Sequence, residues 1–165
     1  MLNAYFCAVG IEKDINQHTF RNSQQKAMIN LLFTYGWAIE KIKNFVSKED
    51  ITHQQYNILR ILRGAHPKPL STLQIRERML DKMSDTSRIV DRLLLKGLVE
   101  KKTCAQDKRL VDVTISEKGQ ELLKRLDEAS AEMDAIMKNV SEEEAEQLSQ
   151  LLDKLRANGE TSPNQ

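Results

Sequence analysis

The sequence predicts a mostly α-helical fold with one small β-hairpin, and three observations carry that reading. Only three prolines and six glycines occur among 165 residues, which leaves room for long regular helices. Ser/Thr-x-x-Gln/Glu capping boxes at Thr52–Gln55, Ser71–Gln74 and Ser141–Glu144 mark helix starts. One stretch alternates, Val111, Val113 and Ile115, opposite Leu98–Thr103 across the polar tip Cys104–Arg109, and reads as a hairpin. A helix over Thr72–Leu80, a second over Ser84–Lys96 and this basic hairpin follow one another. That is the order of a winged helix-turn-helix, a module that reads duplex DNA.

Taken in order, residues 1–22 show no clean period and read as an arm-like extension. From Ser23 to about Lys48 the pattern is helical, and its middle, Leu31 to Ile39, is apolar nearly all round. Such a helix needs cover on every side, and in a chain this size a second subunit is the natural cover. Thr52 opens a helix through Ile58, Leu59 and Leu62 that His66-Pro67-Lys68-Pro69 breaks. Ser71 opens the next, and Asp81-Lys82-Met83 is the turn into the central helix, with Ser84 as its expected N-cap.

In that helix Thr86, Ile89, Val90, Leu93 and Leu94 fall on one side, and Gly97 caps the end. Ser84, Arg88, Asp91 and Arg92 fall on the other, with Leu95 among them and no partner for it in view. After the hairpin, Ser116 is expected to cap one long helix to about Asn139, and the last helix carries Leu148, Leu151, Leu152 and Leu155. The organisation is therefore an extension (1–22), an N-terminal dimerisation helix (23–48), a winged lobe (52–119), C-terminal dimerisation helices (120–158) and a polar tail (159–165).

A net charge of +1 conceals segregation: residues 52–119 hold 14 Lys+Arg against 8 Asp+Glu, whereas residues 120–165 hold 5 against 11. A basic middle on an acidic scaffold fits a DNA-facing lobe, and an unevenly charged solvated surface is the plain alternative. No apolar run approaches a membrane span, and two distant cysteines make no disulfide framework, so a cytoplasmic location is expected.

Arg88 and Arg92, spaced i, i+4, are candidates for guanine O6/N7 or phosphate, or for a solvated face with Asp85 and Asp91 as ion partners. Ser84, Asp85, Thr86 and Ser87 stand at the helix start that approaches base edges, and Asp85 is a candidate acceptor for cytosine N4. Arg109 at the hairpin tip suits a narrow minor groove, and Lys101, Lys102 and Lys108 suit sequence-blind phosphate attraction. Ser71, Thr72 and Gln74 are further candidates for phosphate, although capping alone explains them. Phe33, Tyr35, Trp37 and Tyr56 are candidates for a small-molecule pocket, or simply core. His18, His53 and His66 have no metal-ligand spacing, and no cofactor is expected. Nothing resembles a phosphate-binding glycine loop, a nucleophile motif or a carboxylate pair, so an enzyme is not expected. A winged helix used for protein–protein contact is the alternative to a DNA-binding one.

The run Met83-Ser-Asp-Thr-Ser-Arg-Ile-Val-Asp-Arg-Leu-Leu-Leu-Lys-Gly-Leu-Val-Glu100 resembles the recognition helix of MarR-family regulators. Asp107-Lys108-Arg109, followed by Val-Asp-Val-Thr-Ile-Ser-Glu-Lys-Gly119, resembles that family's wing, and the element order matches from about residue 23 to 158. The resemblance implies a bacterial homodimeric transcription factor, usually a repressor relieved by a small aromatic or lipophilic effector, on a two-fold symmetric DNA operator. It also gives Asp107 the role of anchoring the wing. Arg76 stands where the family commonly has a small residue, and Ile115-Ser116 replaces Leu-Thr. Some relatives sense peroxide through a cysteine near the first dimer helix. Cys7 lies well before Ser23 and does not match, and Cys104, beside Lys101 and Lys102, is the other thiol.

Overall fold

A computed structural model describes residues 10–103 and 111–157. The order is α1 (Ile11–Asp14), α2 (Ser23–Ser47), α3 (His53–Ala65), β1 (Leu70–Ser71), α4 (Thr72–Arg78), α5 (Thr86–Leu95), β2 (Val99–Thr103), β3 (Val111–Ile115), α6 (Glu117–Glu128), α7 (Ala131–Asp134) and α8 (Glu142–Arg156). A 3-10 turn, Ala135–Met137, follows α7. The architecture is mostly helical with one small antiparallel sheet, as the winged helix-turn-helix pattern requires. No helix among the described residues is long and apolar enough to cross a membrane.

The three capping boxes form as their sequences dictate: Thr52, Ser71 and Ser141 each accept the N–H three residues on, and Gln55, Gln74 and Glu144 reach back. Helix α2 starts from Asn22, whose side chain accepts Gln25 N–H. The core gathers Ile58, Leu59 and Leu62 of α3 with Ile75 of α4, Val90 and Leu93 of α5, and Leu122, Leu123 and Leu126 of α6. Val99, Val113 and Ile115 supply the sheet's inner face, and Phe45 and Val46 bring the end of α2 onto the same core. Each such side chain buried whole contributes about 1.5–3 kcal/mol relative to exposure.

Four expectations are corrected. The sheet has three strands in the order β1-β3-β2, because Leu70–Ser71 pairs with Val113–Asp112 outside the hairpin. Two residues are too few to show alternation, so no periodicity marks this strand. Helix α4 stops at Arg78, before Leu80, where Met79 takes an extended backbone. The helix expected from Ser116 to Asn139 is interrupted after Glu128: Ser130 N–H closes onto the Asp127 carbonyl three residues back. The bend keeps Ala129 and Met133 on the core and sets Glu132 against Lys48 at 2.6 Å. Finally, the extension is not wholly an arm, since Ile11 is buried and Glu12 pairs with Lys26.

Charged residues tie the lobe to its flanking helices. Glu49 accepts from Arg125 at 2.6 Å, and Asp50 pairs with Lys96 at 2.7 Å. Asp127 accepts from both Arg63 (2.6 Å) and Arg60 (2.7 Å). The Arg63 hydrogen bond, opposed by partial burial, holds the Asp127 carboxyl below the ordinary carboxylate range.

One junction joins α5, the wing and α6. Gly97, at φ 71°, ends α5 in a Schellman turn: Gly97 N–H donates to Leu94 O (2.9 Å) and Leu98 N–H to Leu93 O (3.0 Å). The Ser116 hydroxyl donates to Gly97 O at 2.7 Å and accepts Gly119 N–H at 3.1 Å, while Ser116 N–H donates to Leu98 O at 3.1 Å. A Cβ at Gly119 would overlap the Leu98 carbonyl oxygen and lie 2.8 Å from Ile115 Cγ1. Gly119→Ala should therefore lower stability by about 1–3 kcal/mol, as overpacking does. Gly64→Ala, with open space around it, should be neutral or mildly stabilising. Urea unfolding of the two variants checks this, and an unperturbed Gly119→Ala would disprove the close approach.

Candidate nucleic-acid interface

Helix α5 divides by its own periodicity. Val90 and Leu93 are fully buried, while Ser87, Arg88, Asp91, Arg92 and Leu95 face outward. The start of the helix is built differently from the sequence expectation. Asp85, not Ser84, is the N-cap, accepting Arg88 N–H at 3.2 Å. The Ser84 hydroxyl is already engaged, donating to Asp81 Oδ2 at 2.6 Å, and Asp81 Oδ1 accepts Met83 N–H at 3.1 Å. These bonds, the Ser84 hydroxyl first, hold the Asp81 carboxyl below its ordinary range. His53 stands nearby, its pKa lowered by burial and by Lys43 against the pull of Asp81.

Thr86 is a second correction. Its side chain is buried and its hydroxyl lies 3.3 Å from Met79 Sδ, so it is turned to the core and not offered outward. Ser84 is half-buried in the turn, and Ser87 is exposed one residue into the helix.

Both arginines stand free of the core, and Arg88 has a carboxylate beside it. Arg88 Nε lies 3.1 Å from Asp85 Oδ2, with both side chains mostly exposed. Such a pair is weak in water and is readily exchanged for another anion. Lys101 of β2 pairs with Asp91 of α5, and Lys102 lies 3.6 Å from Glu100. The first of these bonds ties the wing's base to the helix. Asp107, Lys108 and Arg109, with Cys104, lie outside the described residues, as does Cys7.

Two open grooves flank the start of α5. One, of about 260 Å³, is lined by Thr52, Gln54, Ser84, Asp85, Arg88 and Arg92. The other, of about 390 Å³, is lined by Thr72, Leu73, Arg76, Met83, Ser84 and Ser87. The structure thus gathers Ser84, Asp85, Ser87, Arg88 and Arg92 on one face. It adds Thr52, Gln54, Leu73 and Met83, which sequence reasoning did not single out. The capping boxes at Thr52 and Ser71 were the available signal, because they fix two helix starts against α5.

The four aromatic residues are not gathered in the same way. Phe33, Tyr35 and Trp37 are exposed on α2, with Tyr35 on the opposite side from the other two by helical spacing. Tyr56 packs half-buried on the core, with the Arg60 guanidinium 5.9 Å from its ring centroid. Neither groove at α5 is lined by any of them. No group of three His, Cys, Asp or Glu suited to a metal ion occurs among the described residues.

With this geometry in hand, comparison with known proteins places the chain. The MarR family model matches residues 51–111, from the start of α3 to the start of β3. A MarR transcription factor from Planctomyces limnophilus is 31% identical, with a TM-score of 0.64 over 82% of this chain and 99% of that one. The chain belongs to the MarR family. MarR regulators are transcription factors, and the winged fold recurs in more distant members. A cysteine-to-serine mutant of E. coli MarR complexed with operator DNA has a TM-score of 0.74 at 21% identity, over 84% of this chain and 99% of that one. BpsR of Bordetella bronchiseptica, whose DNA binding is regulated by 6-hydroxynicotinic acid, has a TM-score of 0.72 at 18% identity, over 86% and 99%.

The reassigned cap can be tested locally. Asp85→Ala should cost about 0.5–2 kcal/mol of stability, and Asp85→Asn should restore most of it. Amide exchange at Arg88 should quicken in Asp85→Ala and stay unchanged in Ser84→Ala. The reverse pattern would return the cap to Ser84.

Proposed function

We propose that this MarR-family chain is a homodimeric repressor that binds duplex DNA sequence-specifically on a two-fold symmetric operator and is released by a small aromatic or lipophilic effector. The observation that carries this reading is the outward face of α5. Ser87, Arg88 and Arg92 project from a helix whose other side is locked into the core, within a segment of net charge +6. Donors held on a rigid element suit base edges in the major groove, and surrounding lysines suit phosphates. The operator complex of E. coli MarR supports the same use of the fold.

Dimerisation is assigned to residues 23–48 and 120–158 as part of this reading. Met28, Leu32, Phe33, Tyr35 and Trp37 of α2 are 43–63% exposed, as are Leu148, Leu151 and Leu155 of α8 at 44–64%. So much apolar surface on a single chain favours a second copy as cover. The effector reading draws on BpsR. Arg109 is assigned to the minor groove from its place at the hairpin tip, and Asp107 to anchoring the wing from the family resemblance.

Selection of bound duplexes from a random pool tests this reading, and a two-fold symmetric site is the expected result. On that site Arg88→Ala should cost about 1–3 kcal/mol and relax preference at one position per half-site. Lys102→Ala should weaken all sequences alike and reduce the slope of log affinity against log salt by about 0.9 per subunit. A chain that retains no duplex at low salt would instead be a winged helix for protein contact.

A further inference from the structure

Among the described residues the three large apolar side chains most open to solvent lie on the winged lobe and not on α2 or α8, and a fourth on the lobe is about as exposed as any on those helices. Met83 is 93% exposed, Leu80 91% and Leu95 87%, and Leu73 is 62% exposed. Met83 and Leu73 line one groove together, with Ser84, Ser87 and Arg76 beside them. Neither is loosely held at its backbone. Leu73 sits in the first turn of α4 behind the Ser71 capping box. Met83 N–H is bound to Asp81, whose other oxygen accepts the Ser84 hydroxyl. Two apolar side chains are thus presented by fixed backbone at the helix start that is aimed at base edges.

Polar groups alone do not exploit the whole of a major-groove edge. An A·T pair offers the thymine 5-methyl group there, and an apolar side chain is its complement. We infer that Leu73 and Met83 form an apolar reader of the thymine 5-methyl group, lying beside the hydrogen-bonding readers Ser87 and Arg88. The inference rests on the DNA-binding reading above and extends it from donors and acceptors to shape. Met suits such a contact because its unbranched side chain adapts to the methyl's position. The charge of the lobe favours duplex DNA as the occupant: Arg76 and Asp85 both line this groove, and the net +6 of residues 52–119 around them suits a phosphate strand better than an apolar peptide.

The test replaces each thymine of the selected duplex in turn by uracil, which keeps the pairing edge and removes only the methyl. The wild-type chain should lose about threefold to tenfold in affinity at one or two positions per half-site, the scale of one buried methyl. The Leu73→Ala/Met83→Ala double variant should bind the thymine and uracil duplexes equally. It should match the wild-type affinity for the uracil duplex, which shows that it is folded. Leu80→Ala removes an equally exposed side chain that does not line the groove, and should keep the discrimination. Indifference of the wild type to uracil at every position, or discrimination that survives in the double variant, would overturn the inference while leaving DNA binding intact. Failure to retain any duplex would overturn the DNA-binding reading and this inference with it.

Discussion

The close approach of Gly119 to the Leu98 carbonyl is the constraint on which the rest of the lobe depends. Three elements meet there: the end of α5, the first strand of the wing and the start of α6. Gly97 turns the chain through a left-handed conformation that side chains resist, and so α5 can end where the wing begins. Ser116 then satisfies both sides, donating to Gly97 and accepting from Gly119, and the Lys118 ammonium donates to Lys96 O at 2.9 Å. Because no side chain intrudes, the helix that faces outward and the strands beside it behave as one body.

From that body the remaining features follow in physical sequence. The core fixes one side of α5, so the other side is fixed by default, and Asp91–Lys101 adds a tie to the wing. The ends of α2 and α6 join the same body through Glu49–Arg125 and Asp50–Lys96. A displacement of the ends of α2 or α6 would therefore be carried to the outward face of α5 through ion pairs and packed leucines. The exposed Asp85–Arg88 pair is weak and open to exchange, whereas Lys101, largely covered, stays with Asp91.

Much of this was legible in the sequence because it is local chemistry. The capping boxes at Thr52, Ser71 and Ser141, the Gly97 stop and the two faces of α5 depend on residues within one or two turns of each other. What was not legible depends on partners far along the chain. Strand β1 exists because β3 offers a free edge to Leu70–Ser71. The break after α6 reflects the core's hold on Ala129 and Met133 and the reach of Glu132 to Lys48. The choice of Asp85 over Ser84 as cap was a contest between two good capping residues, decided by Asp81, which takes the Ser84 hydroxyl. The apolar residues Leu73 and Met83 gave no signal, since a lone exposed Leu or Met in a sequence is indistinguishable from a core residue.

Native-state hydrogen exchange at the Gly97, Leu98, Ser116 and Gly119 amides tests the central claim most directly. If the junction holds the lobe together, these amides should open only with global unfolding and match the protection of Leu59 and Val113 in the core. Exchange through a local opening of much lower free energy, with Leu59 and Val113 still protected, would contradict it: α5 and the wing would then move independently.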